Sequence, residues 1–376
     1  MKILFLKDKR SESGIEGVSN YLFCLCQFLE KKKIDYLVLY NSKDLFYDMM
    51  IEKKLKIKYL GFKVNSPKNF FLFKKFKKVI DRLIYKRKFT TISVQFPGLL
   101  NILTKKQNIK IFCHQHGAFK KDYKLKLIDS INFKKLILNF YNKFFIFDFT
   151  KADKVISVSK ASMISSIKTY NIPEKKIILN RYGLTVKNPD DYENIRNEFD
   201  IKNDQKIILS VARETKDKGV EDFCRIAKKI NNPQFKFLFL GGYRDKNYHE
   251  YLFEQYSEYV TFVGMRSDVS RFYKSSDLFL FLSHRESAGQ VLMESLNFSL
   301  PIISWKIFGI DEIVENKKNG FLCKFGDFLD LENKIKLLLN DKNLRQELVK
   351  NSFIEFKQKY DIEKSGENLI DIFKNS

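Results

Sequence analysis

The feature that most constrains this chain is the regular alternation of short apolar runs with longer segments of helical periodicity. The short runs are rich in β-branched and aromatic residues and are bounded by turn residues, as buried strands are. Strands that alternate with helices form βαβ units around parallel sheets, so the pattern predicts an α/β fold. The predicted strands are Lys2–Leu6, Tyr36–Tyr40, Thr91–Gln95, Lys110–His114, Lys154–Ser157, Lys206–Ser210, Lys236–Gly241, Val260–Val263, Leu278–Leu282, Pro301–Ile303 and Gly320–Cys323.

The chain has 376 residues, 44% of them hydrophobic and 30% charged, which excludes a disordered protein and suits about two to three domains. Its apolar runs are far shorter than the roughly 18 residues of a transmembrane helix, and its start lacks the apolar core of a signal peptide. Five cysteines, an odd number without paired CxxC spacing, argue against a disulfide framework or a zinc site. We therefore expect a cytoplasmic protein.

The formal net charge of +24 resides in the first half of the chain. Residues 1–190 contain 40 Lys and Arg against 15 Asp and Glu, whereas residues 191–376 contain 29 against 30. The change coincides with the turn-rich Asn188-Pro189-Asp190-Asp191, so we place a domain boundary near residue 187. The basic half should attract a polyanion: nucleic acid, an anionic membrane surface or a phosphorylated acceptor. A genomic bias toward lysine is the alternative explanation.

A basic amphipathic helix is predicted within Phe70–Phe89, with Ser66-Pro67 as its start signal. Apolar residues recur there at helical spacing, and lysines and arginines fill the other faces. Such a helix can lie in a membrane interface. The commoner alternative is a surface helix whose apolar stripe packs on the sheet, and the sequence leaves both open.

The segment after Leu278–Leu282 is typical of an anion site. It runs through a glycine-containing loop into a helix, and a helix start presents backbone N–H groups that have no partner within the helix. Gly289 would let a ligand approach the backbone closely. The amides expected to hold a phosphate are those of Ala288, Gly289, Gln290 and Val291.

Glu286 precedes this helix and Glu294 lies on it. Ionised carboxylates accept hydrogen bonds from vicinal hydroxyls, so a sugar ligand accounts for acidic residues beside a phosphate site. Eight residues of helix span roughly 12 Å, wider than the roughly 5–9.5 Å between the carboxylates of a glycoside hydrolase. We interpret the pair as two clamps on one ligand and not as a hydrolytic dyad.

Two cations, Arg213 and Lys218, follow strand Lys206–Ser210. They lie on the side where open α/β sheets bind ligands. A diphosphate needs this kind of neutralisation, by a bidentate arginine and a point-charge lysine. On its own, the turn is equally compatible with a solvated charged loop.

Together these residues resemble the nucleotide-sugar half of the retaining GT-B glycosyltransferases of family 4. The resemblance is specific from residue 206 to about 325 and fainter in the first half. The motifs that carry it are Ser13-Gly14-Ile15-Glu16-Gly17-Val18, His114-Gln115-His116-Gly117, Ala152–Ser159, Arg213…Lys218-Gly219, Phe262-Val263-Gly264, Glu286-x7-Glu294, Leu300-Pro301-Ile302-Ile303 and Asn319-Gly320-Phe321-Leu322.

Two departures from the family pattern bear on specificity: Ser287-Ala288 replaces Gly-Phe after the first glutamate, and Ser295–Ser299 replaces Ala-Met-Ala-x-Gly. In the fainter first half, Tyr182-Gly183 stands where Asn-Gly is usual. The fold expectation survives these changes. Because of these departures, the resemblance does not identify the donor's base or sugar.

The resemblance implies a GT-B architecture, two Rossmann-like domains facing a cleft. An acceptor-binding domain is expected over residues 1–187 and a nucleotide-sugar-binding domain over residues 188–351. A C-terminal helix over residues 352–376 is expected to pack back on the first domain.

The resemblance also implies roles for the site residues. Arg213 and Lys218 would bind the donor diphosphate and stabilise the leaving nucleotide. Glu286 would hold sugar hydroxyls near the reacting carbon, and Glu294 would hold the ribose hydroxyls. His116 would contact the transferred sugar and the acceptor. The nucleotide base would lie near Gly264, Met265 and Arg266. The remaining donor-site residues are Gly14, Ser287, Ala288, Gly289, Gln290 and Val291.

His114 stands two residues before His116. We expect it to face the opposite side of the same strand and to be structural.

The implied reaction moves a sugar from a nucleotide diphosphate sugar to an acceptor hydroxyl with retention, without a metal or other cofactor. The expected acceptor is a glycan or lipid-linked intermediate of surface polysaccharide, lipopolysaccharide or glycolipid synthesis, reached at the inner face of the cytoplasmic membrane. A sugar-nucleotide epimerase and a noncatalytic GT-B binding protein are the alternatives. Nucleic-acid binding rests on charge alone, since no recognition module is visible.

Overall fold

The computed structural model describes residues 1–9, 17–60, 73–96, 99–100, 103–104, 108–117, 149–286 and 288–376. Within these ranges the chain divides into two compact units. The first unit comprises Met1–Leu184 with Ile362–Ser376, and the second comprises Thr185–Asp361. Gly14, Ser287 and the predicted helix start Ser66-Pro67 lie outside the described residues.

The first unit is built on a seven-stranded sheet in the order β3-β2-β1-β4-β5-β6-β7. All pairs in it run parallel. Helices cover both faces of a parallel sheet, which is why strands such as β1 are almost wholly apolar. The strands are β1 (Lys2–Lys7), β2 (Asp35–Tyr40), β3 (Ile57–Tyr59), β4 (Thr91–Val94), β5 (Lys110–Gln115), β6 (Lys154–Ser157) and β7 (Ile177–Leu179).

The second unit is built on a six-stranded parallel sheet in the order β10-β9-β8-β11-β12-β13. Its strand order reverses direction between β8 and β11. Ligands of open α/β sheets bind beyond the carboxyl ends of the strands at such a point. The strands are β8 (Lys206–Val211), β9 (Phe235–Leu240), β10 (Val260–Gly264), β11 (Leu278–Phe281), β12 (Ile302–Trp305) and β13 (Gly320–Cys323).

Helices follow most strands, as the alternating pattern predicts. Those of the first unit are α1 (Gly17–Lys31), α2 (Leu45–Glu52), α3 (Phe73–Arg87), α4 (Lys160–Tyr170) and α11 (Ile362–Asn375). Those of the second unit are α5 (Val220–Ile230), α6 (Lys246–Tyr256), α7 (Val269–Ser275), α8 (Gln290–Asn297), α9 (Phe328–Asn340) and α10 (Lys342–Lys359).

The predicted α/β class is confirmed, and each predicted strand has a counterpart with bounds that differ by at most two residues. Strands β3 and β7, each of three residues, are not among the predicted strands. The first unit ends at Leu184, near the expected boundary at residue 187. The expectation that the C-terminal segment leaves the second unit at Ser352 is wrong. Helix α10 continues to Lys359 with Ser352 and Phe356 buried, and the chain returns to the first unit only at Ile362.

Helix α11 packs against α1 within the first unit. A Cβ built on Gly366 would lie 2.5 Å from the ring of Phe28, so only glycine permits this approach. Ion pairs flank the contact: Lys31 bonds Glu363 at 2.5 Å and Lys32 bonds Glu367 at 2.7 Å. The last helix is therefore an integral part of the first unit.

The apolar stripe of α3 is used in folding. Ile80 and Ile84 are buried in the core of the first unit with Ile92 and Ile111. The basic residues of the described part of α3 lie on the outer surface, and the neighbouring Tyr85 is 84% exposed. Of the two alternatives for α3, the structure therefore has the surface helix, whose apolar stripe packs into the core of the first unit.

Among the described residues, no helix is both long enough and apolar enough to span a bilayer.

An ion-pair cluster in the second unit makes the free energy of unfolding depend on pH in the acid range. Glu315 accepts hydrogen bonds from Lys318 at 2.7 Å and from Lys359 at 2.9 Å, and these bonds lower its pKa to about 2. A carboxyl whose pKa falls on folding stabilises the fold above its unfolded pKa of roughly 4.5, and this contribution disappears as pH falls toward 2. We expect Glu315→Gln to lower the Tm at pH 7 and the difference from wild type to shrink between pH 4.5 and 2.

The single tryptophan, Trp305, is buried in β12 and provides the fluorescence signal for this measurement. Glu347→Gln on α10 is the control, since Glu347 is exposed and forms no ion pair within the described residues. A Tm difference for Glu315→Gln that stays constant with pH would contradict the assignment.

Candidate functional site

The sheet order of the second unit brings two loops together. β8 and β11 are neighbours, and their carboxyl ends lead into the loops 212–219 and 282–289. The first loop carries Arg213 and Lys218, and the second carries Glu286 and the start of α8. Residues far apart in sequence are thereby collected at the point where the strand order reverses.

Lys218 and Glu286 form the central ion pair of this site. The Lys218 ammonium donates to Glu286 Oε2 at 2.7 Å, and the two side chains are only 16% and 18% exposed. Partial burial strengthens such a pair because water screens it less. The two predicted residues with the most direct chemical roles are therefore in contact.

The backbone holds the two loops against each other. The N–H of His284 donates to the carbonyl of Asp217 at 3.0 Å, and the Ser283 hydroxyl donates to the same oxygen at 3.2 Å. Gly219 has a left-handed φ of 67°, and a Cβ there would lie 1.8 Å from the carbonyl oxygen of Leu282. No other residue type fits this contact without moving the loop.

Positive charge accumulates around the ion pair. Burial opposes ionisation of Asp217, but the Thr215 hydrogen bond and the nearby charges of Lys218, Arg285 and Arg213 outweigh it and lower the pKa of Asp217. Arg213 itself is exposed, and its guanidinium forms no ion pair within the described part of the chain. It is thus available to an anionic ligand.

The start of α8 has the geometry of an anion site. Gly289 is its N-cap residue, with φ of 51°, and has no side chain to accept hydrogen bonds from the first-turn amides. Tyr273 supports this helix because its hydroxyl donates to Glu294 at 3.0 Å and to the Val291 carbonyl at 3.3 Å. The amides of Gln290 and Val291 and the Glu294 carboxylate are therefore fixed relative to each other.

The predicted base-binding segment lies at the end of β10. Gly264 has φ of 79°, its carbonyl accepts from the Gly241 N–H at 2.9 Å, and a Cβ there would meet nothing within 4 Å. Met265 is 65% exposed. The Arg266 guanidinium is held by Asp268 and Glu198, each at 2.8 Å, so its charge is already compensated.

Beside Arg213, the buried Glu214 pairs with the half-buried His249, and no sequence motif predicts this pair. Both carboxylate oxygens of Glu214 lie 3.0 Å from His249 Nδ1, and the His249 ring stacks on Tyr243 at 4.1 Å. Burial raises the pKa of Glu214, partly offset by the hydrogen bond and charge of His249. A charged residue shortly after a buried strand is the only signal in the sequence, because 35 residues separate the two partners.

In the first unit, His116 lies at the end of β5 and contacts Tyr182. Its Nδ1 is 2.6 Å from the Tyr182 hydroxyl, and the two rings are stacked with centroids 5.6 Å apart. Tyr182 is buried, and its ring lies 4.9 Å from that of Tyr21 on α1. In the sequence, Tyr182 is conspicuous only as a departure from the family pattern.

The expectation that His114 faces the opposite side of the strand from His116 is wrong. The two rings are stacked at 5.7 Å, because residues two apart on a strand point to the same face. His114 is fully buried, its Nε2 lies 3.0 Å from the Ser93 hydroxyl, and burial lowers its pKa to about 3. It is therefore a neutral residue in the core.

Within the ranges that the structure describes, no group of three or more His, Cys, Asp or Glu side chains converges as a metal site would require.

Two family models together match most of the chain. Residues 15–181 match the model described as Glycosyltransferase Family 4, and residues 191–354 match the model described as Glycosyl transferases group 1. The two matches fall on the first and second unit respectively.

Curated relatives agree over part of their length. The capsular polysaccharide biosynthesis glycosyltransferase CapM of Staphylococcus aureus is 32% identical over 38% of this chain and 39% of its own length. The N-acetyl-alpha-D-glucosaminyl L-malate synthase of Bacillus anthracis is 28% identical over 55% of both chains. A Campylobacter jejuni N,N'-diacetylbacillosaminyl-diphospho-undecaprenol alpha-1,3-N-acetylgalactosaminyltransferase is 28% identical over 62% of this chain and 65% of its own. The chain thus matches about two fifths to two thirds of the length of these relatives.

Solved structures match the whole fold. HepE from Anabaena, crystallised with UDP and glucose, has a TM-score of 0.78 at 18% identity with full coverage of both chains. WaaG, a glycosyltransferase involved in lipopolysaccharide biosynthesis, has a TM-score of 0.71 at 14% identity, again with full coverage of both chains. Both units are glycosyltransferase domains, and the chain belongs to the glycosyltransferases of GT-B fold.

The close approach at Gly219 yields a stability test. Gly219→Ala would add the cost of a left-handed alanine, roughly 1–2 kcal/mol, to a backbone clash of roughly 1–3 kcal/mol. Gly326→Ala is a matched control, because Gly326 also has a left-handed φ but a Cβ there would meet nothing within 4 Å. Urea unfolding followed through Trp305 should show at least twice the loss for Gly219→Ala. Equal losses would mean that the loop contact with Leu282 does not constrain the site.

Proposed function

We propose that this protein transfers a sugar from a nucleotide diphosphate sugar to an acceptor hydroxyl with retention of anomeric configuration. The observation that carries the proposal is the Lys218–Glu286 ion pair beside the uncapped start of α8. Cationic and carboxylate groups in contact at a helix N-terminus suit a ligand that combines phosphate with sugar hydroxyls.

The cations would act on the leaving nucleotide. As the glycosidic bond breaks, negative charge develops on the terminal phosphate of the departing diphosphate, and prearranged positive groups stabilise that charge. Lys218 provides a partly buried ammonium, Arg213 an exposed guanidinium, and the Gln290 and Val291 amides provide further donors. These groups supply the charge that a divalent cation supplies in other transferases, so we propose transfer without a metal.

Glu286 and Glu294 would bind opposite ends of the donor. Lys218 pairs with Glu286, so a sugar hydroxyl would share this carboxylate when the lysine turns toward phosphate. Glu294 is oriented by Tyr273 and would accept from the ribose hydroxyls. For retention we propose attack from the face that the nucleotide leaves, with the departing phosphate taking the acceptor's proton.

Donor and acceptor classes follow from similar proteins. Structures of this fold have been solved with UDP and with UDP-glucose, which makes UDP sugars the first donors to test. The C. jejuni relative is named for a lipid-diphosphate acceptor, and CapM is named for capsular polysaccharide synthesis. We propose a glycan or lipid-linked acceptor of surface polysaccharide, lipopolysaccharide or glycolipid synthesis, with His116 contacting the sugar and acceptor.

The outer face of α3 is the proposed contact with an anionic membrane. Lys78, Arg82 and Lys86 are exposed on it, whereas the apolar residues Ile80 and Ile84 are buried in the first unit. Because the apolar stripe is occupied, attraction would come from charge and not from insertion of the helix. Such binding would hold the protein peripherally at the cytoplasmic face of the membrane.

The donor site is tested by ligand-dependent stabilisation of wild type and Lys218→Ala. A ligand at 100 times its Kd stabilises the folded state by roughly 2.7 kcal/mol, so thermal shifts across UDP, GDP, ADP, CMP and dTDP sugars identify the nucleotide. We expect Lys218→Ala to weaken binding of that sugar about 10- to 100-fold, because a charge-assisted hydrogen bond to phosphate is lost.

Lys216→Ala is the matched control from the same loop. The Lys216 ammonium lies 5.5 Å from the Tyr248 ring, on the exposed side of the loop. Equal weakening in both variants would contradict a specific role for Lys218. With the identified donor, NMR of the product tests retention, a chelator tests metal independence, and conversion of the sugar without acceptor would favour an epimerase.

Membrane contact is tested by sedimentation with vesicles that contain 30% anionic lipid. Each basic residue near such a surface contributes about 1 kcal/mol, so changing Lys78, Arg82 and Lys86 to Gln should lower partitioning on the order of 100-fold at low salt. The control changes three exposed lysines of the second unit, Lys324, Lys342 and Lys350, to Gln. Equal retention of both triple variants would refute the assignment to α3.

A further inference from the structure

The hydrogen bond between His116 and Tyr182 links the tautomer of the imidazole to the direction of that bond. The Nδ1 to hydroxyl distance is 2.6 Å. Hydrogen bonds donated by N–H groups to oxygen are usually 2.7–3.2 Å long, and O–H donors form shorter bonds, about 2.5–3.0 Å to oxygen. A phenol is also a better donor than a neutral imidazole N–H, and an imidazole nitrogen is a better acceptor than a phenol oxygen. The distance and the chemistry of the two groups therefore favour the phenol as donor and His116 Nδ1 as acceptor.

An imidazole that accepts at Nδ1 and is neutral must hold its proton on Nε2. The His116 and Tyr182 rings are nearly parallel, inclined by only 9°, so the contact restricts the orientation of the imidazole. The His116 ring also stacks on His114, a buried neutral ring inclined by 16°. The contacts that orient His116 thus include the hydrogen bond that bears on its tautomer.

Tyr182 is in turn held by α11. A Cβ on the adjacent Gly183 would lie 2.7 Å from Ser365 Cβ and 2.8 Å from Ile362 Cα. Ser365 also donates to the Arg181 carbonyl at 2.6 Å, and the Ile362 N–H donates to the Leu184 carbonyl at 3.0 Å. The segment on both sides of Tyr182 is therefore fixed to the last helix, which limits where the phenol can point.

We propose that Tyr182 is a positioning residue that holds neutral His116 in the Nε2–H form, so that His116 enters sugar transfer as a hydrogen-bond donor and not as a base at Nε2. This inference rests on the proposed contact of His116 with the transferred sugar. It extends the proposed function by naming what His116 offers: a donated hydrogen bond, suited to a sugar or acceptor oxygen. The last helix supports this role through Gly183.

NMR of the full-length protein tests the tautomer directly. Long-range correlations between ring protons and nitrogens distinguish the Nε2–H from the Nδ1–H imidazole, and the spectrum of His116→Gln assigns the His116 signals among the four histidines. The wild type should show His116 in the Nε2–H form above pH 7. Tyr182→Phe should give a mixture of both tautomers, because the donor to Nδ1 is gone.

Tyr36→Phe is the matched control. It removes another buried hydroxyl from the first unit, one that accepts from the Lys56 N–H at 3.4 Å, and it should leave the His116 signals unchanged. UDP release from UDP-glucose is the activity readout. We expect Tyr182→Phe to lower the kcat of this release about fivefold, the loss expected for one hydrogen bond, and to leave the KM unchanged.

Two results would overturn the inference: a wild-type His116 protonated on Nδ1, or a Tyr182→Phe spectrum that keeps the Nε2–H form. The wild-type spectrum alone suffices if Tyr182→Phe does not fold. Because the NMR readout needs no substrate, its outcome is separable from that of the proposed function, which fails if no nucleotide sugar binds or turns over.

Discussion

The contact between the loops that follow β8 and β11 is the constraint on which the candidate site depends. Lys218 and Glu286 are 68 residues apart, yet they meet at 2.7 Å because the strands that precede them are neighbours in the sheet. Gly219 permits the approach, since its missing side chain makes room for the Leu282 carbonyl. A parallel sheet alone would bring the loops near each other. The glycine contact and the hydrogen bonds to the Asp217 carbonyl bring the ion pair to bonding distance.

In the first unit, the last helix likewise holds a segment with a chemical role in place. Segment 180–184 carries Tyr182 and follows the three-residue strand β7, so the sheet alone holds it weakly. Helix α11 supplies the missing contacts through Gly183 on one side and through Gly366 against Phe28 on the other. Here too, glycines allow close packing, and close packing fixes a side chain with a chemical role.

The sequence was sufficient to predict the α/β class, most strands and the residues of the donor loops, because each produces a local pattern. A buried parallel strand is a short apolar run, and a strand followed by cations or a glycine loop marks a ligand edge. β3 was missed because the chain there is largely exposed, and three residues show no period. The boundary at Ser352 was misplaced for a related reason. Apolar residues at helical spacing run through both α10 and α11, and only the short break at Tyr360-Asp361 separates them.

Local patterns show that a side chain needs a partner but not which partner it finds. The amphipathic spacing of α3 requires an apolar surface, and a sheet and a membrane satisfy that requirement equally until Ile80 and Ile84 are located in the core. Glu214 and Tyr182 gave similarly incomplete signals. Their partners, His249 and His116, lie 35 and 66 residues away and are reached only through the fold. Motifs therefore identify residues that face a ligand, whereas the groups that orient those residues become visible only when the strands are placed in order.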